Sequence, residues 1–127
     1  MNSYEPVSPK APFLWHGGDY NPEQWSPDIW QEDFRLMRQA GITAATVGVF
    51  SWVSLQPSEG EFTFGWLDEI MDGLHANGIR AILATPSAAQ PAWMSAAYPQ
   101  MLRSDERGVR HPHGRRVNYC PNSDDYR

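Results

Sequence analysis

Two stretches of the chain carry the same short signal. "QAGITAATVGV" contains Gly41-Ile42 and "ANGIRAILATP" contains Gly78-Ile79, and the two glycines stand 37 residues apart (78 minus 41). Each follows an amphipathic segment and opens a run of small or branched apolar residues. Glycine suits the left-handed position that closes a helix, where a Cβ would be costly. A continuous apolar run is how a strand reads when both its faces are buried, as in a parallel sheet. A helix–Gly–strand unit that occurs twice therefore predicts an α/β chain with parallel strands joined by right-handed crossovers.

The elements follow from periodicity. A first helix is predicted from Pro27 to Ala40, with Ser26 at the N-cap, Pro27 at the first helical position and Trp30, Phe34 and Met37 as its apolar stripe. A second is predicted from Trp66 to Asn77, with Leu67, Ile70, Met71 and Leu74 facing inward. Asp68 and Glu69 sit in its first turn, where the helix dipole favours negative charge. Strands are predicted at Phe13–Gly17, Thr43–Val49 and Ile79–Ala84. A doubly wound sheet would need a Gly-rich phosphate loop after its first strand, and "WHGGDYNPEQW" lacks that spacing. A (β/α)8 TIM barrel fits better, and since a whole barrel takes roughly 250 residues, 127 residues amount to about three of its βα units. Residues 1–12, with prolines at 6, 9 and 12, read as a flexible lead-in to a partial barrel domain at 13–127. Three units leave a sheet edge and a core face uncovered, so this length of chain on its own is expected to aggregate or stay partly unfolded.

Composition narrows the function classes. Apolar residues make up 41%, enough for a packed core. The formal charge of −5 argues against a nucleic-acid partner, which would need a basic face. One cysteine, Cys120, excludes an internal disulfide. No basic segment followed by an apolar core opens the chain, and no apolar run is long enough to span a bilayer. The expectation is a cytoplasmic protein with no membrane partner.

In a barrel the active site lies where strands run out into the loops that precede the helices. Trp15, Tyr20, Trp25, Trp52, Trp93 and Tyr119 fall in or beside such loops. Aromatic rings stack on the C–H faces of sugars, so the set points to a carbohydrate site, although any single ring can equally pack loop against barrel. Glycoside hydrolysis needs two carboxylates about 5–5.5 Å apart for retention or about 6.5–9.5 Å for inversion. Asp19 and Glu23 share the first loop, but "DYNPE" reads better as a turn whose acids cap backbone or hold an arginine. Glu59 and Glu61 flank Gly60 in a solvated turn. His111, His113 and Cys120 are a conceivable zinc set without a fourth ligand or a finger's spacing. Arg103, Arg107, Arg110, Arg115 and Arg116 form a cluster that reads mostly as surface, except where "GRRVNYCPNS" interleaves arginine with Tyr119, Cys120 and Asn118.

Four motifs in order, "GGDYNPEQWS", "FSWVSLQPSEGEFTFGWLD", "LATPSAAQPAWM" and "GRRVNYCPNS", resemble glycoside hydrolase family 42, the β-galactosidases. The resemblance implies a TIM barrel that hydrolyses terminal non-reducing β-D-galactose from β-galactosides with retention, without a cofactor. It also implies two catalytic glutamates on later strands, the first within an Asn-Glu pair. No glutamate here follows an asparagine, so no catalytic residue is assigned and the 127 residues alone are expected to be inactive. Arg116, four residues before Cys120, matches the family arginine that holds substrate hydroxyls, with Arg115 as the adjacent alternative. Cys120 matches a zinc ligand of some members whose other cysteines come later, so no metal site is assigned. Trp52, at the exit of the second strand, is expected beside the galactose pocket with Phe50 supporting it. Phe62 and Phe64 are expected to pack the start of the second helix. A homo-oligomer is among the assemblies open to the intact enzyme. The alternatives are a non-catalytic sugar-binding or assembly module, or another barrel glycosidase of the same clan.

Overall fold

The structure, a computed structural model, describes residues 5, 6, 8–10, 12–111, 114 and 116–126. In chain order it contains β1 (Gly17–Asp19), a 3-10 turn (Pro22–Gln24), α1 (Pro27–Gln39), β2 (Ala44–Val47), α2 (Trp52–Leu55), α3 (Gly65–Ala76), β3 (Arg80–Leu83), α4 (Ala92–Ala97) and a second 3-10 turn (Pro99–Met101). The strands form one sheet in the order β1-β2-β3. The chain divides into two compact units, Met1–Val47 with Glu69–Ile82, and Gly48–Asp68 with Leu83–Arg127.

The first unit is built by the Gly-Ile signal. Gly41 and Gly78 take φ of +74° and +73°. At the end of α1 the Ile42 N–H donates to the Met37 carbonyl and the Gly41 N–H to the Arg38 carbonyl. At the end of α3 the Ile79 N–H donates to Leu74 and the Gly78 N–H to His75 in the same pattern. This is the Schellman closure, which satisfies carbonyls left over at a helix end, and it occurs twice. The helical stripes are buried as the spacing predicts: Trp30 and Phe34 from α1, Ile70 and Leu74 from α3, and Ala44, Ala45 and Val47 from β2. Phe34 is 1% exposed. Gly73 lets α3 come close to it, since a Cβ there would sit 2.2 Å from Phe34 Cε2.

β1 lies further along the chain than the apolar run "PFLWHG" suggests. Gly17, Gly18 and Asp19 pair in parallel with Ala44, Ala45 and Thr46. Phe13, Leu14 and Trp15 remain exposed, Leu14 by 85%. The reason is steric. A Cβ on residue 17 would lie 1.7 Å from the Ala44 carbonyl oxygen, so the closest strand approach is possible only at glycine. Thr43 helps set the register by accepting the His16 N–H on its hydroxyl at 2.8 Å.

The expectation of burial on both faces holds for β2 and fails for β3. Ile82 and Leu83 of β3 are exposed, Leu83 by 57%. β3 is an edge strand, so among the described residues no further strand pairs beyond it.

The second unit has little regular structure. Its core is Met94, Met101 and Tyr119, with Trp52, Trp93, Tyr98 and Tyr126 packed against them. The long segment after β3 is not a plain loop: α4 and a 3-10 turn lie inside it. Hydrogen bonds tie its strands of chain together, Cys120 N–H to the Met101 carbonyl at 2.7 Å and Arg103 N–H to the Asn118 carbonyl at 3.0 Å. Arg110 sends Nη1 to the carbonyls of Pro99 and Gln100 at 3.0 and 2.7 Å. It satisfies acceptors that the short turn leaves open.

Candidate functional site

The six sequence-selected aromatics divide between the units. In the first, Tyr20 is core. Its hydroxyl donates to Asp33 Oδ2 at 2.9 Å and its ring meets Phe34 edge-on at 6.3 Å. Burial, then the Asp33 hydrogen bond and the negative charge of Asp33 and Glu23, raise its phenol well above the ordinary tyrosine range. Trp15 and Trp25 are exposed. In the second unit Trp52, Trp93 and Tyr119 belong to one aromatic cluster.

Trp52 opens α2 immediately after the strand exit and lines a cavity of 530 Å³ within the second unit, together with Gln56, Phe62, Phe64, Thr85 and Tyr126. That volume falls in the roughly 300–1,000 Å³ span of small-molecule sites. Gln56 fixes two indoles at once. Its side-chain oxygen accepts Trp52 Nε1–H at 2.9 Å and its backbone oxygen accepts Trp93 Nε1–H at 2.9 Å. Trp52 meets Tyr126 edge-on at 5.9 Å, and Tyr126 stacks on Tyr119 at 3.8 Å. Burial and the Tyr119 hydroxyl push the Tyr126 phenol up to about 12.

Phe62 and Phe64 do not simply pack the start of α3. They stack on each other at 5.9 Å with planes 7° apart. They are 59% and 51% exposed and form a wall of the Trp52 cavity. Their place before a helix predicts packing, whereas both rings line the cavity with Trp52. Tyr126, from the polar tail "NSDDYR", carried no sequence signal at all.

Arg116 is exposed and is not among the residues lining that cavity. Its guanidinium lies over the Phe50 ring, 4.8 Å from the centroid. Phe50 therefore partners Arg116. Arg115 and His113 lie outside the described residues. Glu59 accepts the Tyr98 hydroxyl at 2.6 Å, and Glu61 accepts the Ser58 hydroxyl at 2.8 Å, so both acids of that turn have partners.

Asp19 is exposed at the end of β1, while both carboxylate oxygens of Glu23 are sealed from solvent without a hydrogen-bond partner. A group that trades protons with a substrate must reach it, and the Glu23 carboxylate is enclosed. Cys120 is a half-buried free thiol. Among the described residues no group of three or more His, Cys, Asp or Glu is placed to hold a metal. A structural zinc takes four N or S ligands, and Cys120 is the only cysteine of the chain.

The comparisons with known proteins bear on the same segments. The profile of glycoside hydrolase family 42, described as Beta-galactosidase, matches residues 19–127. The chain belongs to glycoside hydrolase family 42. Beta-galactosidase Pbg of Clostridium perfringens is 51% identical over 129 aligned residues, covering 100% of this family-42 chain and 19% of Pbg. Beta-galactosidase BglY of Alicyclobacillus acidocaldarius is 50% identical, with 100% and 19% covered. Among solved structures, Gan42B, a GH42 beta-galactosidase from G. stearothermophilus, superposes with a TM-score of 0.88 at 50% identity, over 92% of this chain and 17% of that one. The beta-galactosidase of Bacillus circulans sp. alkalophilus gives 0.87 at 47% identity, over 93% and 18%. The family-42 chain thus spans about a fifth of the length of the curated relatives it matches. Its helices and parallel strands are the N-terminal part of the family's α/β TIM barrel. No described helix is long and apolar enough to cross a membrane.

Proposed function

We propose that these residues form part of a β-galactosidase that removes terminal non-reducing β-D-galactose with retention. The observation that carries this is identity of about half to curated beta-galactosidases over the whole chain. In a retaining mechanism one glutamate attacks the anomeric carbon, while a second protonates the leaving oxygen and then activates water. No glutamate of this chain follows an asparagine, and both roles are assigned to residues outside these 127. The chain's own part is to bind. Arg116, a rigid fork of donors, holds galactose hydroxyls, and Trp52 offers an indole face beside them. Residues 13–127 are the domain portion and 1–12 its lead-in; the hydrolase works in the cytoplasm on a β-galactoside, without nucleic-acid or membrane partners, and homo-oligomerisation is compatible with this reading.

The test uses the β-galactosidase that contains these residues. Trp52→Ala should lower kcat/KM on a nitrophenyl β-galactoside about tenfold, proportionately more than it lowers the melting temperature. An unchanged kcat/KM would remove Trp52 from the site. Hydrolysis by the 127-residue chain alone, abolished in Glu23→Gln, would overturn the placement of the catalytic groups.

A further inference from the structure

Arg116 carries a charge on a flexible stem, and a binding fork works only if it is already aimed. Two independent features of the second unit aim it. The first is the ring of Phe50, over which the guanidinium sits at 4.8 Å. A cation at that distance is held by the negative face of the ring. The second is the backbone immediately after the arginine. Val117 has φ of +59°, the sole positive value at a non-glycine among the described residues. A β-branched residue avoids that region and stays there only when its surroundings over-determine it. Here the Val117 N–H donates to the Ala88 carbonyl at 3.1 Å and the next residue's carbonyl accepts the Arg103 N–H at 3.0 Å. The strained residue fixes where the Arg116 stem leaves the backbone, and Phe50 fixes where its head comes to rest.

We propose that Phe50 is a positioning residue for Arg116, setting the guanidinium for substrate hydroxyls before the sugar arrives. This rests on the reading that Arg116 contacts substrate. Phe50 acts through the arginine and not by touching sugar, so its effect must vanish when the arginine is gone.

The experiment is a double-mutant cycle in the β-galactosidase, read as kcat/KM on a nitrophenyl β-galactoside, with the Arg116 Nε–H resonance followed by NMR. Phe50→Leu should lower kcat/KM about fivefold, mainly through KM, within the range expected for a cation–π contact. Phe50→Tyr, which keeps the ring face, should recover most of that loss. In an Arg116→Ala background Phe50→Leu should cost less than twofold. The Nε–H resonance should lose its ring-current shift in Phe50→Leu and keep it in Phe50→Tyr. Additive losses in the cycle, or a resonance indifferent to Phe50, would overturn the proposal. A resonance that responds while Arg116→Ala leaves kcat/KM unchanged would instead show that the contact is real and the substrate role of Arg116 is wrong.

Discussion

The two units of this chain are stabilised in different ways. The first is periodic: two helices with 3.6-residue stripes, Trp30 and Phe34 on one and Ile70 and Leu74 on the other, close on the same Schellman turn and feed short strands. The second is aromatic and irregular: a four-residue helix, a six-residue helix and turns are tied by single hydrogen bonds around Met94, Met101 and Tyr119. Scaffold residues sit in the first, while the proposed binding residues Trp52 and Arg116 and the positioning residue Phe50 all sit in the second. Regular packing gives stability that substitutions erode gradually. A loop-built unit can hold exposed rings and a strained backbone because rigid elements elsewhere carry the fold.

The largest effect expected is in the first unit. Phe34→Ala should destabilise by about 3–5 kcal/mol in chemical denaturation, the usual cost of emptying a fully buried aromatic site. A loss under about 1 kcal/mol would mean the helical core is not what holds this unit. Gly73→Ala sharpens the same point from the other side. The new methyl meets the Phe34 ring at 2.2 Å, and overpacking of this kind costs roughly 1–3 kcal/mol.

The second unit should also respond to high pH. The Tyr126 phenol is pushed up to about 12 by burial and its bond with Tyr119, against about 10 when unfolded. The folded state thus holds this proton more tightly than the unfolded state. The associated stability is fully present below pH 10 and is lost as pH rises toward 12. Ultraviolet titration of phenolate should show Tyr126 ionising late in wild type and the late component diminished in Tyr126→Phe. An unchanged late component would assign it to Tyr20 or Tyr98, whose phenols are also raised.

The smallest effect is at Val117. Relief of a left-handed conformation is worth about 1–2 kcal/mol, while a new glycine gives back roughly 0.5–1 through the unfolded chain. Val117→Gly should therefore raise stability by between about 0 and 1.5 kcal/mol. A clear loss would show that the valine side chain matters more than the backbone strain.

The same contrast explains what could be read from sequence. Trp30, Phe34, Ile70 and Leu74 announce themselves by spacing, and Gly41 and Gly78 by what glycine alone does at a helix end. Phe13, Leu14 and Trp15 look like strand, while the real constraint on β1 is the close approach of Gly17 to the Ala44 carbonyl. That contact is non-local and leaves no periodic trace. α2 and α4 are too short to show a helical period. The pairing of Phe50 with Arg116, the stacking of Tyr126 on Tyr119 and the seating of Arg110 on three carbonyls join residues by shape and charge. Family motifs single out Trp52 and Arg116 but not what surrounds them: Trp52 lines the aromatic cavity and Arg116 lies over Phe50.

The most direct test of this division of labour is Arg116→Ala in the β-galactosidase, with kcat/KM and thermal unfolding measured on the same preparation. The account predicts a loss of about a hundredfold in kcat/KM, equivalent to roughly 2.7 kcal/mol, with the melting temperature unchanged within a degree or two. Full activity, or a loss that merely follows a fall in melting temperature, would contradict it.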